Sequence, residues 1–322
     1  MSIVTSIRSE PDGPQRLVWL RDPRDYQIGS LLLLFLYGIL RLHFDQPFIN
    51  AACILCTALA TQYAASRLCR LSAFEWRSAL ISGLSLCLLL RTNSLYLAGL
   101  AAAVAILSKF ILRLKNKHIF NPTNFAIVLL LLCLPANVWV SPGQWGYSAL
   151  FAFLMACLGG VVVFRAWRSD VTAAFLTAYA ALLFGRALLL GDPLSIPLHQ
   201  LQSGALLLFS FFMISDPKTT PDSRTGRMLF AALVALGAWY VQFRLFRPSG
   251  ILWSLAACSA VVPLLDRLFP ARKYAWASEA SGPRPEEGAL DGAQVHLRGG
   301  DAGPGRGGEG RVRLLRLLRG QG

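Results

Sequence analysis

Residues 95–136 read LYLAGLAAAVAILSKFILRLKNKHIFNPTNFAIVLLLLCLPA. Two apolar runs, near 95–114 and 122–136, flank a short segment holding Lys109, Arg113, Lys115 and Lys117, and the second run opens on Asn121-Pro122. A helix crossing about 30 Å of hydrocarbon needs roughly 20 apolar residues. Each run therefore reads as a span and the basic segment as the turn between them. The same alternation continues in both directions along the chain. It gives an all-α, polytopic membrane protein.

Ten such runs occur, near 28–42, 47–65, 78–90, 95–114, 122–136, 147–165, 171–190, 198–215, 226–243 and 249–266. Composition agrees. The chain has 322 residues, 55% of them hydrophobic and 15% charged, with 31 Lys+Arg against 17 Asp+Glu and a formal net charge of +14. Soluble domains run near 25% charged, and disordered chains need low hydrophobicity. The basic residues fall in short clusters between apolar runs rather than on one face, which argues against a nucleic-acid binder.

The charges set an expected orientation. With the N-terminus cytoplasmic, the inner segments carry Arg8, Arg16, Arg21, Arg24, Arg67, Arg70, Arg77, Lys109, Arg113, Lys115, Lys117, Arg165, Arg168, Lys218, Arg224, Arg227, Arg267, Arg272 and Lys273, which is 19. The outer segments carry five: Arg41, Arg91, Arg186, Arg244 and Arg247. Lys and Arg near span ends concentrate on the cytoplasmic side, so both termini are expected inside. The first 27 residues are polar, hold four arginines and have no cleavable apolar core, so the first span is expected to be retained.

Three regions follow: a cytoplasmic segment 1–27, a transmembrane domain 28–268 and a basic, Gly-rich cytoplasmic tail 269–322. The composition of the tail predicts disorder. Within the domain two stretches resemble each other. Leu88-Leu89-Leu90 leads through Arg91 and an apolar run to Asn121-Pro122-Thr123-Asn124. Leu188-Leu189-Leu190 leads through Asp192 and an apolar run to Asp216-Pro217-Lys218-Thr219. Repeats near 28–136 and 147–266 would hold five spans each, and an odd number inverts the second copy. Inverted repeats put binding sites at the midplane, between short or interrupted helices. The third span is short enough to be one of these.

Asn-Pro and Asp-Pro break helices for a physical reason. Proline lacks an N–H and disfavours helix at the preceding residue, while Asn or Asp there caps the free amides. In a membrane, freed backbone is tolerated only where protein or a polar cavity satisfies it. Two readings stand at this point: plain helix ends at the cytoplasmic surface, or the lining of a functional site.

Ser203-Gly204-Ala205-Leu206, Phe211-Phe212-Met213, Ser215-Asp216-Pro217, Thr219-Thr220-Pro221, Ser223-Arg224, Gly226-Arg227 and Pro263-Leu264-Leu265-Asp266-Arg267 form a spaced set of polar positions on the hydropathy map. With Asp22-Pro23-Arg24 and Phe120-Asn121-Pro122, this set resembles the RnfD/NqrB-like family over about residues 20–270. That family holds one membrane component of the Rnf electron transport complex and its counterpart in the sodium-translocating NADH:quinone reductase. The resemblance implies a ten-helix inverted-repeat bundle in an electron-transfer complex coupled to ion movement. It also implies FMN linked to a threonine that ends a Ser/Thr-Gly-Ala-Thr motif in the outer loop after the Asn-Pro span. Here no threonine lies between Thr123 and Thr172, so covalent FMN is not expected. Ser203-Gly204-Ala205-Leu206 mimics the motif before a different helix. Standalone members of the family, including those beside enediyne-type biosynthetic genes, are the nearer comparison.

Other chemistry is sparse. Cys53 and Cys56 form a CxxC inside an apolar span with no second pair at metal spacing, so they read as small hydrophobes and no metal site is expected. None of the four histidines, His43, His118, His199 and His296, sits at ligand spacing. Trp139, Trp145 and Tyr147 in the outer loop suit a membrane interface or a flavin ring. Arg91 and Arg186 lie near interrupted helices, where they would attract an anion or snorkel to the surface. Glu75, Asp170 and Asp266 are expected to pair at the cytoplasmic end.

The favoured reading is a non-catalytic multi-pass subunit in the bacterial inner (plasma) membrane, taking part in electron transfer and transmembrane transport. Its partners would be the lipid bilayer and other membrane redox subunits, and any FMN or riboflavin would be noncovalent. The alternative is a transporter or channel for a small solute or ion, serving a biosynthetic cluster. Pathway or cofactor-binding candidates are Arg91, Asn121, Pro122, Asn124, Ser203, Gly204, Asp216, Pro217, Thr219, Thr220, Arg224 and Arg227, with no catalytic residue assigned.

Overall fold

The computed structural model describes residues 22–272 and Tyr274, apart from 43, 45, 72, 73, 115, 116 and 141–148. Arg8, Arg16, Arg21, His43, Lys115, Trp145, Tyr147, Lys273, His296 and the expected tail from 275 onward lie outside the described residues. Helices run α1 Pro23–Leu42, α2 Phe48–Leu68, α3 Trp76–Leu89, α4 Leu95–Ile111, α5 Pro122–Cys133, α6 Ala149–Arg165, α7 Ser169–Leu190, α8 Ser195–Leu201, α9 Gly204–Leu208, α10 Arg224–Phe243, α11 Gly250–Ser259 and α12 Val262–Leu268. A π-helical segment, Phe209–Met213, extends α9.

Every run read as a span is occupied by a helix or a bent pair of helices. Four helices, α1, α2, α7 and α10, are long and apolar enough to cross a membrane. Two bent pairs also pass together: α8 with α9 and its π segment, at 48°, and α11 with α12, at 51°. The remaining apolar helices, α3 to α6, are shorter. Two small ladders join them. β1 Leu90–Thr92 pairs antiparallel with β4 Val138–Val140, and β2 Arg113–Leu114 pairs with β3 Lys117–His118.

The core is filled by side chains such as Phe175, Phe209, Phe230, Leu86 and Leu88. The exterior is also apolar, with Tyr96, Leu188 and Leu189 exposed. In water such a surface would drive association, whereas against hydrocarbon it costs nothing. Helix α2 packs on α4 and α7 packs on α10, and α1 on α3 is matched by α6 on α9 and its π segment.

Local chemistry sets where the helices end. Ser94 and Ser223 cap α4 and α10 by accepting from Leu97 and Gly226 amides. Gly191, at φ 72°, ends α7 in the left-handed region that favours glycine. Helix α3 stops because Leu90 turns extended into β1, whose backbone is then met by β4 and by Asn50, whose Nδ2 donates to the Thr92 carbonyl. At the π segment, the Ser210 carbonyl accepts from Thr172 at 2.8 Å. Gly159 of α6 leaves room for the Phe211 ring there.

Arg91 corrects an expectation. It does not reach the surface: it is 1% exposed, its Nη1 donates to the Cys87 and Leu90 carbonyls, and its guanidinium lies over the Phe44 ring. A cation belongs there physically, because the last carbonyls of α3 have no helical donor and form the negative end of its dipole. Cys56 is likewise exposed rather than buried.

Candidate functional site

The two proline-preceded breaks come together. Asn121 is extended, with Pro122 at the first position of α5, and its Oδ1 accepts from the Asn124 amide at 3.1 Å. Capping fixes the side chain and turns its Nδ2 outward from α5. That group donates to Asp216 Oδ2 at 3.4 Å and to the Met213 carbonyl at 3.5 Å, both long. Asp216 Oδ1 accepts from the Lys218 amide at 3.0 Å, and the Asp216 carbonyl accepts from Thr220 Oγ1 at 3.0 Å and Thr219 Oγ1 at 3.4 Å. Burial pushes the Asp216 carboxyl above the usual carboxylate range, against the Lys218 N–H and the charges of Lys109, Lys218 and Arg168.

A polar layer surrounds this junction. Lys109, 4% exposed, leaves α4 to donate to Ser78 Oγ and its carbonyl at 3.0 and 2.8 Å. Lys117 sits between two carboxylates, 3.0 Å from Asp222 and 2.7 Å from Asp266. Arg227 grips Asp170 at 2.6 Å and the Asp222 carbonyl at 2.7 Å. Arg24 joins Asp22 and Glu75, Arg77 joins Asp25, and the Arg168 guanidinium lies 4.9 Å from the Tyr274 ring. A cavity of about 180 Å³ opens between Lys117, His118, Asp222 and Asp266. Burial, with the charges of Arg113, Lys109 and Lys218, pulls the His118 imidazole down to about 3, so it is neutral.

Not every candidate joins the junction. Pro122, Pro217, Thr219 and Thr220 do, and Arg227 borders it through Asp222. Asn124 faces another way, donating to the Leu252 carbonyl of α11 at 3.1 Å. Arg224 is exposed. Ser203 and Gly204 lie at the far end of α9 and its π segment, roughly 15 Å of helix away at 1.5 Å per residue. Arg91 is also remote: Thr123 meets the Ser82 carbonyl, and seven further residues of α3, roughly 10 Å, precede Leu90 and Arg91 of β1.

Sequence reading missed Lys117 as a clamp and Lys109 as a buried cation, having counted both as ordinary inner-loop charges. Glu75, Asp170 and Asp266 do pair near this end, with cations far away in sequence. A legible hint existed: Lys117 and His118 precede Asn121 by only a few residues, so whatever Asn121 meets, they meet too.

The residues present do not fit covalent FMN. The stretch from Asn124 to Val171, which includes the outer loop, contains no threonine, and the fourth place of the Ser203-Gly204-Ala205 stretch is Leu206, a buried hydrocarbon side chain.

Comparison with known proteins finds a resemblance in the second half of the chain. Residues 143–275 match the NQR2, RnfD, RnfE family model. The D component of an ion-translocating oxidoreductase complex from Citrobacter koseri is 34% identical over 84 residues, 26% of this chain and 24% of that protein. The same component from Tolumonas auensis is 35% identical over 80 residues, covering 25% and 23%, and that from Cronobacter sakazakii 36% over 78, covering 24% and 22%. The matches span about a quarter of each relative's length. Over residues 143–275 the chain is similar to the RnfD/NqrB family.

Proposed function

We propose that the chain is an integral membrane subunit of RnfD/NqrB type, acting in membrane electron transfer coupled to ion movement. In this reading it has ten spans in two inverted five-helix repeats, both termini are cytoplasmic, and any flavin is held without a covalent bond. The observation that carries the reading is the contact of Asn121 with Asp216, the same break in each half of the chain meeting its counterpart. The matching packing of α2 on α4 and α7 on α10 supports the repeat. Arg24, Arg77, Lys109, Lys117, Arg168 and Arg227 all belong to one end of the bundle, and this supports the orientation.

What the junction's own residues do follows from their chemistry. Asn121 and the Thr219 and Thr220 hydroxyls hold the broken backbone, whose buried carbonyls would otherwise lack donors. Asp216, its carboxyl raised by burial, holds its proton to a higher pH than a surface aspartate, and the charge of Lys109 opposes that shift. The relatives are by name components of an ion-translocating oxidoreductase complex, and other membrane redox subunits are the partners proposed here.

The test is to isolate the tagged full chain from its own membranes in mild detergent and assay redox groups in what comes with it. Co-isolated flavin or iron–sulfur subunits support the reading; a chain that isolates alone and carries no redox group opposes it. The transporter alternative draws on one observation, the buried Asn124 Oδ1 between α5 and α11, which has no hydrogen-bond partner among the described residues. Solute flux into liposomes holding the chain alone would favour it.

A further inference from the structure

We infer that the groove between the C-terminal halves of α7 and α10 is a binding site for one anionic phospholipid. The groove measures about 450 Å³ and lies at the end of the two helices away from the Asp170–Arg227 pair. Its walls are apolar, from Leu182, Gly185 and Leu189, and Leu189 is 88% exposed, so the groove opens onto the surface that faces lipid. Its polar atoms gather at the helix ends. The Arg186 guanidinium is already paired to Asp192 at 2.9 Å and lies over the Phe243 ring at 4.5 Å. Arg244, on the groove rim, has no acidic partner among the described residues, so the site carries a net positive charge. Trp239 also lines the groove, and its indole Nε1 is buried with no acceptor among the described residues.

The occupant follows from this arrangement. The N–H groups of the unpaired Arg244 guanidinium ask for an oxyanion, and a phosphate accepts from them. A free phosphate would satisfy them but would leave the apolar channel facing water or empty. A glycerophospholipid fills both parts: headgroup phosphate at Arg244, acyl chain along Leu182, Gly185 and Leu189. The net positive charge selects an anionic headgroup over a zwitterionic one. The inference needs α7 and α10 to face lipid and does not rest on the redox reading.

The experiment is native mass spectrometry of the delipidated full chain in detergent, titrated with phosphatidylglycerol and with phosphatidylcholine of the same acyl chains. One phosphatidylglycerol is expected to bind in preference, and Arg244→Gln is expected to weaken it about fivefold with phosphatidylcholine unchanged. Equal binding of the two lipids, or an unchanged preference in Arg244→Gln, overturns the proposal. Displacement of the lipid by millimolar inorganic phosphate also overturns it, because the site then takes a free anion. Should Arg244→Gln fail to fold, the wild-type chain still decides. Brominated phosphatidylglycerol should quench tryptophan fluorescence more than brominated phosphatidylcholine, and the excess should vanish in Trp239→Phe. Equal quenching by the two contradicts the site.

Discussion

Asn121 and Asp216 stand 95 residues apart and touch through their side chains, Nδ2 to Oδ2 at 3.4 Å, each immediately before a proline. Neither lies at a bare helix end. Asn121 is buried among α5, Met213 and Asp216, so the break that proline causes in one half is satisfied by the break in the other.

This contact should be measurable as a coupling. Asn121→Ala and Asp216→Asn are each expected to lower the melting temperature in detergent, and the double variant to lose less than the two combined. The difference should be about 1 kcal/mol. Both should impair activity more than Cys53→Ala, whose thiol makes only weak contacts, 3.6 Å to the Leu95 carbonyl and 3.9 Å to Thr57 Oγ1. Strict additivity would remove the contact from the account.

Lys117 holds Asp222 and Asp266 together, with all three side chains largely buried. Lys117→Met leaves two carboxylates facing each other and should destabilise by about 2 kcal/mol. Adding Asp266→Asn should restore part of that. A thermal melt in which Lys117→Met matches wild type would show the clamp to be inert.

His118 gives a pH dependence of known sign. Its folded value of about 3 lies below the ordinary 6.5. The unfolded chain therefore binds a proton that the folded one refuses, and stability is lost as pH falls from about 6.5 toward 3. Asp216 runs the other way: its carboxyl is raised, so its contribution is greatest at low pH and lost as pH rises above the ordinary carboxylate range. Melting temperatures from pH 4 to 7 should show a shallower acid slope for His118→Phe and a shallower opposing slope for Asp216→Asn. Parallel curves for all three proteins would contradict both assignments.

Gly159 and Gly160 are adjacent and should differ. A Cβ at Gly159 would run into the Phe211 ring, whereas one at Gly160 meets nothing within 4 Å. Gly159→Ala should cost about 1–3 kcal/mol by overpacking, and Phe211→Leu should relieve some of it. Gly160→Ala should be neutral or slightly stabilising. Equal effects would mean that α6 does not press on the π segment.

Much of this architecture was legible from the run of apolar residues alone. Residues 95–136 gave two helices and a basic turn at nearly their observed bounds, and Asn121-Pro122 marked a capped start. Directions within a span were not legible. Apolarity is the same along Ser195–Met213 whether or not the chain bends by 48°, and the bend falls where Gln202 and Ser203 leave the helix. Pairings across the bundle were hidden for a related reason. Lys117 meets Asp266 across 149 residues, and only the helix packing decides which carboxylates reach a given ammonium. Arg91 misled because a charge in an apolar stretch reads as snorkelling, while its actual neighbours are the carbonyls of its own helix end.

The most direct measurement is the visible absorption spectrum of the detergent-purified chain, followed by flavin fluorescence of the denatured protein band. Membrane electron transfer through this chain predicts a flavin absorption band whose chromophore leaves the chain on denaturation. A colourless, intact protein would contradict the electron-transfer reading and favour transport. Fluorescence that stays with the denatured band would contradict the inference from the missing threonine.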